Sequence, residues 1–287
     1  MKFHIDFPEA SLGVKLNCNS ESSFKPENLA LLWNSMNLLL SANHVPVEQE
    51  FLKLWMDADF LPVERKKDLP ANPAPLPDVR IEREFNDALH KLRADLHDAS
   101  ARATVYKHVF ATALVSMRGI DRLVVMMRNA REILEIEATT ATLISNEIAM
   151  KVPGFPHKSI TLLEHEQERE AILALVFIAI NADGQKHVAE LSACRTIMIA
   201  LGVTSVNNQR LGALTKQGIS ALVASITPAV LPTALLNILR LVAADQNVES
   251  RERKLIGAIA GKMSPQHVKS IDKLAMLELG RVFDLQG

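Results

Sequence analysis

Helical patterning of apolar positions dominates the chain, and its longest run lies in the middle. Phe85, Leu89, Leu92, Leu96, Ala99, Ala103, Tyr106, Phe110, Ala113 and Met117 follow one another at alternating spacings of four and three without a miss. Spacing of this kind puts the apolar side chains on one stripe, and over more than four repeats it reads as a coiled-coil seam. It predicts one helix of roughly 50 Å, supported by Asp87/Lys91 and Asp98/Arg102 at four-residue separation. Two uses of the seam stay open. The helix packs within its own domain, or Leu89, Leu92, Leu96, Tyr106 and Phe110 meet a protein partner or a second copy of the chain. Ala99 and Ala103 at consecutive seam positions pack closely but drive dimerisation weakly.

Elsewhere the pattern predicts short elements. Residues 2–7 and 14–19 alternate apolar and polar with period two around a turn, which reads as a short β-hairpin. Pro26 opens a helix through Leu29, Leu32, Trp33, Met36 and Leu40, and Pro46 opens another. Five prolines between positions 62 and 77 make residues 61–78 a stiff linker. Gly119 breaks the pattern after the seam, and helices follow toward Ile136 and over 140–150. Residues 152–159 read as a second linker. Beyond it the chain is helical throughout, over about 159–182, 188–201 (closed by Gly202), 205–226, 232–244 and 249–263. A last helix is opened by Ser264-Pro265. The expected organisation is therefore an N-terminal hairpin with helices (1–60), a linker, a long heptad helix region (79–151), a linker, and an all-helical domain (160–287). The fold class is an all-α multi-helix bundle.

Composition narrows the function. With 32 basic against 33 acidic residues, no field of one sign exists to attract nucleic acid, which is not an expected partner. Cys18 and Cys194 are too few and too far apart for a disulfide framework or a thiolate metal site, and the start resembles no secretory signal, so a cytoplasmic setting is expected. The uncharged stretch 217–239 has the length of a membrane span but holds Pro228 and Pro232 within it. No stable span is expected; a peripheral membrane contact stays open.

The chemistry sits at two corners. An apolar helix ends in Ala182-Asp183-Gly184 with Glu190 seven residues after the Asp, and another ends in Ala244-Asp245 with Glu252 seven residues on. Carboxylates are hard oxygen ligands, so Asp183, Glu190, Asp245 and Glu252 are candidates for a divalent cation, Ca²⁺ or Mg²⁺. Neither corner is an EF-hand loop: Gln185 and His187, then Asn247 and Glu249, fill the third and fifth positions, and the glutamate at position twelve is missing. The corners have an equally simple architectural use. If His187 and Glu249 cap the following helices, Glu190 and Glu252 fall at the third helical position, where a glutamate bonds back to exposed backbone N–H groups. Residues 41–52 read as a decayed third copy, with Gln49 in place of the glutamate. The acidic run 164–170 lacks the second histidine of a zinc motif. His90, His97 and His108 lack a convergent fourth ligand, and Cys194 lacks an activating environment. No nucleophile elbow or phosphate-cradling loop is present in the sequence, so an enzyme is not expected.

The duplicated corners, with the continuation R-E-R-K-L-I-G-A-I-A-G-K-M-S-P-Q-H-V after the second, resemble the TerB-like family named for tellurite-resistance proteins. The resemblance covers residues 160–287. It departs from the family pattern at Gln246, in the glycine slot of the second corner, and at Lys186, in an apolar slot of the first. The resemblance implies an all-α, cytoplasmic, non-enzymatic stress-response module with metal held by the corner acids, fused here to a further N-terminal region. The competing expectation is a structural or oligomeric assembly protein, such as a defence-system component, whose corners are architecture alone.

Overall fold

The computed structural model describes residues 25–41, 44–57, 78–149, 166–181, 188–203, 206–245 and 250–280, and every element among them is helical. The expected β-hairpin (2–19) and both linkers lie outside the described residues, apart from Asp78. Contacts divide the chain near residue 140. One unit comprises residues 1–140 with 280–282, and the other residues 141–279 with 283–287.

In the first unit, Pro26–Leu39 (α1), Pro46–Asp57 (α2), Asp78–Asp95 (α3), Ala99–Val115 (α4) and Ile120–Ile133 (α5) pack together. α1 lies on α3 and α4, which both pack on α5, while α2 packs on α4. The described residues of the expected 1–60 and 79–151 regions, as far as residue 140, fall in this one unit. Prolines at the first helical positions of α1 and α2 match the expectation.

The long seam helix is not formed. It divides at residues 96–98 into α3 and α4, because Asp98 caps α4 by accepting from the Ser100 N–H at 3.0 Å. Arg102 completes the break by donating Nη1–H to the His97 carbonyl at 2.8 Å, serving one of the carbonyls that α3 leaves open. The seam side chains keep their periodicity on both sides, and all but Ala99 and Met117, which are exposed, face inward. Leu89, Leu92, Leu96, Tyr106 and Phe110 are all buried, with the Tyr106 and Phe110 rings 5.8 Å apart in a tilted pair. The expected partner-binding seam is thus core of the unit. The four-three spacing arose because both helices present one stripe to the same interior.

In the second unit the body of Ala138–Ala149 (α6) joins Glu166–Ile180 (α7), Val188–Ala200 (α8), Asn208–Thr215 (α9), Ile219–Ala224 (α10), Leu231–Asp245 (α11), Ser250–Ala260 (α12) and Pro265–Leu279 (α13). α11 is the hub, packing against α7, α8, α12 and α13, and residues 231–243 are buried without a break. The single helix expected over 205–226 is two, α9 and α10. Gly218, at φ +84, turns the chain between them in a conformation that side chains disfavour. Gly202 closes α8 as expected, at φ +68, with the Val203 N–H reaching back to the Met198 carbonyl at 2.9 Å. Ser264 caps α13 by accepting from the His267 N–H at 3.3 Å.

Candidate functional site

The corner between α1 and α2 shows at atomic detail what a glutamate at the third helical position does. Glu48 is fully buried. Its Oε1 accepts from the Ser41 N–H at 3.0 Å and the Met117 N–H at 2.9 Å. Its Oε2 accepts from the Val45 N–H at 3.0 Å and from the Ser41 hydroxyl. Burial pushes the Glu48 carboxyl upward, but the Ser41 hydroxyl and the Met117, Ser41 and Val45 amides outweigh it and hold the group below the ordinary carboxylate value. The α4–α5 corner closes the other side. Ser116 donates its hydroxyl to the Leu39 carbonyl at 2.7 Å, and Arg118 donates Nη2–H to the Leu40 carbonyl at 2.6 Å.

Ser41 precedes Glu48 by seven residues, the separation of Asp183 from Glu190 and of Asp245 from Glu252. In this segment, expected from the sequence as a third copy with Gln49 in the glutamate's place, the buried glutamate is Glu48. Gln49 lies exposed and donates to the His44 carbonyl at 2.7 Å. In this corner the place of the aspartate belongs to a serine.

In the second unit, Glu190 and Glu252 occupy the third positions of α8 and α12, as expected if the corners cap these helices. Both are buried, at 3% and 2% exposure, and both are engaged by polar or electrostatic neighbours. A carboxylate so nearly removed from water needs such neighbours. Asp183 lies outside the described residues. Asp245 ends α11, with its side chain outside the description. Asn181, the last described residue before the first corner, and Arg251, in the first turn of α12, line a common cleft of about 390 Å³ with Phe177, Asn208 and Leu211. Among the described residues, no group of three or more His, Cys, Asp and Glu is arranged to hold a metal ion.

The remaining sequence candidates do not converge. His90 and His97 are exposed on or just beyond α3, whereas His108 is buried in α4. Burial, helped by the neighbouring Lys107 charge, lowers the His108 imidazole to about 3. Burial raises the Cys194 thiol, which opposes a nucleophilic role. From the acidic run, Glu168 is buried and accepts from the Thr227 N–H at 2.8 Å, a structural contact.

Sequence reading overlooked a buried polar centre joining α6, α11 and α13. Arg240 donates Nε–H to Glu278 Oε1 and Nη2–H to Glu278 Oε2, both at 2.8 Å. It also donates to the side-chain oxygens of Asn146, Asn237 and Ser145 at 2.8, 2.5 and 2.7 Å. A signal was available: Arg240 is the first charge after the uncharged stretch 217–239, and a lone arginine in an otherwise apolar helix requires an acid elsewhere.

No family model matches the chain, and no similar curated protein or solved structure was found. What the fold defines is a class: a protein of two units, all-helical among the described residues, in which Glu48, Glu190 and Glu252 are each buried at the third position of a helix. Among the described residues no helix is long and apolar enough to cross a membrane.

Proposed function

We propose that this is a non-enzymatic helical binding protein, of the cytoplasmic stress-response type that the TerB-like resemblance implies. In this reading Asp183/Glu190 and Asp245/Glu252 share a divalent cation, Ca²⁺ or Mg²⁺. The observation that carries the reading is the difference between the three corners. Where the first sets a serine hydroxyl to donate a proton to its buried glutamate, the other two sequences set an aspartate. Two carboxylates seven residues apart across such a corner repel unless a proton or a cation lies between them. Hard cations take oxygen ligands of this kind, and the reading is supported by Asn181 and Arg251, which flank the two corners in sequence and line one cleft.

A second reading is favoured by a different observation. Glu190 and Glu252 already have neighbours, and the Ser41–Glu48 corner closes without an ion. On that reading the corners are architecture and the protein is an assembly component. The contact surface would then be the outer side of α8, where Val188, Leu191 and Ile199 are exposed.

The first corner supplies the discriminating variant. Asp183→Ser/Asp245→Ser copies a residue that this corner design accepts, and removes the second carboxylate from each. Calorimetric titration of the full chain with CaCl₂ and with MgCl₂ should give saturable heat for the wild type and none for the double variant, with both melting at similar temperatures. Equal heats in the two proteins, or none in either, overturn the cation reading.

A further inference from the structure

A second cleft, of about 190 Å³, lies between α9 and the N-terminal half of α7 and shares Leu211 with the one lined by Asn181 and Arg251. Leu173, Val203, Val206, Leu211 and Leu214 supply apolar lining, and Glu166, Arg169, Glu170 and Arg210 supply charge. Two of the charges cancel: Arg210 Nη2 meets Glu170 Oε2 at 2.7 Å. The Asn207 side-chain oxygen is also committed, accepting from the Gln209 and Arg210 N–H groups at 3.1 Å each. Arg169 is served by neither. Its Nε–H is buried with no acceptor, and a guanidinium cannot escape the deficit by losing its proton. Arg169 thus stands on the cleft wall without a carboxylate partner among the described residues, and an acidic ligand entering the cleft can pair with its guanidinium without displacing an existing ion pair.

We infer that this cleft is a binding site for a small organic carboxylate, with Arg169 as its anchor. A carboxylate is planar and takes two parallel hydrogen bonds from a guanidinium fork. Its hydrocarbon body covers Leu173, Val203 and Leu214, which an inorganic anion would leave in water. The exposed Glu166, in the first turn of α7, adds selectivity: it disfavours dianions and accommodates an ammonium group, so an apolar α-amino acid satisfies both unpaired charges. The inference does not depend on the cation reading, since none of these residues belongs to the acidic corners.

The test is calorimetry on the full chain with sodium hexanoate, with leucine and with inorganic phosphate. Hexanoate or leucine should bind saturably, and Arg169→Gln should weaken that binding at least ten-fold. Leu214→Phe, which narrows the cleft and leaves every charge in place, should weaken it similarly and decides the matter if Arg169→Gln fails to fold. Three results overturn the proposal: no heat from either carboxylate, phosphate binding alone, or binding unchanged in a folded Arg169→Gln or Leu214→Phe protein.

Discussion

Replacing Arg240 by methionine removes the cation from the buried centre of the second unit while keeping most of its volume. Arg240 and Glu278 are each 4% exposed as residues, so water cannot compensate for either. In the variant the Glu278 carboxylate keeps only the Thr142 and Ser145 hydroxyls as side-chain donors, at 3.1 and 2.5 Å. Asn146 Oδ1, Asn237 Oδ1 and the Thr142 carbonyl lose the guanidinium as donor. Breaking a buried pair by removing one partner costs about 3–5 kcal/mol, because the other charge remains stranded. That is a large share of the roughly 5–15 kcal/mol that holds a domain together. Removing both charges, as in Arg240→Met/Glu278→Met, strands no ion and should cost less than the sum of the singles, with a coupling of about 2 kcal/mol. Urea unfolding followed by circular dichroism at pH 7 measures all four proteins. A loss under about 1 kcal/mol for Arg240→Met, as for an exposed pair, or additive single losses, would refute a dry, charge-paired network.

Two further predictions concern pH. His108 is neutral and buried in the folded unit with its imidazole lowered to about 3, while the unfolded chain takes a proton near pH 6.5. Stability is therefore fully present above pH 6.5 and falls by about 1.4 kcal/mol per unit as pH drops toward 3; His108→Leu should remove that component from the slope measured between pH 6.5 and 5, and an unchanged slope contradicts it. Asp272 has the opposite sign: burial raises its carboxyl to about 6 and its Oδ1 is buried without a partner. Holding it ionised costs stability as pH rises through 6, so Asp272→Asn should stabilise the protein by about 1–2 kcal/mol at pH 7 and by little at pH 4, compared by thermal melts at both values.

Most of the helices were legible because their boundaries are local chemistry. Pro26, Pro46, Ser264-Pro265 and Gly202 stop or start helices by backbone constraints that any context respects. The seam misled because periodicity reports which face is apolar and says nothing of whether the axis is straight. The interruption lay in Asp98 and Arg102, which had been read as a four-apart pair on one helix. Asp98 instead caps the next helix, and Arg102 bonds the carbonyls of the last. Gly218 divides α9 from α10 for a similar reason: its positive φ is invisible until the neighbouring helices fix the chain's direction. Arg240 and Glu278 are 38 residues apart, and no local pattern joins them.

The third corner was misread by one position, and the error is informative. The expected copy put Gln49 in the glutamate's place, but the physical requirement points to Glu48. A buried carboxylate at the third position of a helix must collect backbone N–H groups, and Glu48 does so with the Ser41 and Val45 amides of the preceding turn and the Met117 amide of the α4–α5 corner. The residue seven positions earlier need only be small enough to face it and able to supply what that carboxylate still lacks. Serine supplies a proton of its own. Aspartate at pH 7 has none to supply, so on the cation reading proposed above its glutamate partner must draw a proton or a cation from solution. Glu190 and Glu252 are already buried and engaged by neighbours, so titration of Asp183→Ser/Asp245→Ser against the wild type decides whether the aspartates add an ion to that framework.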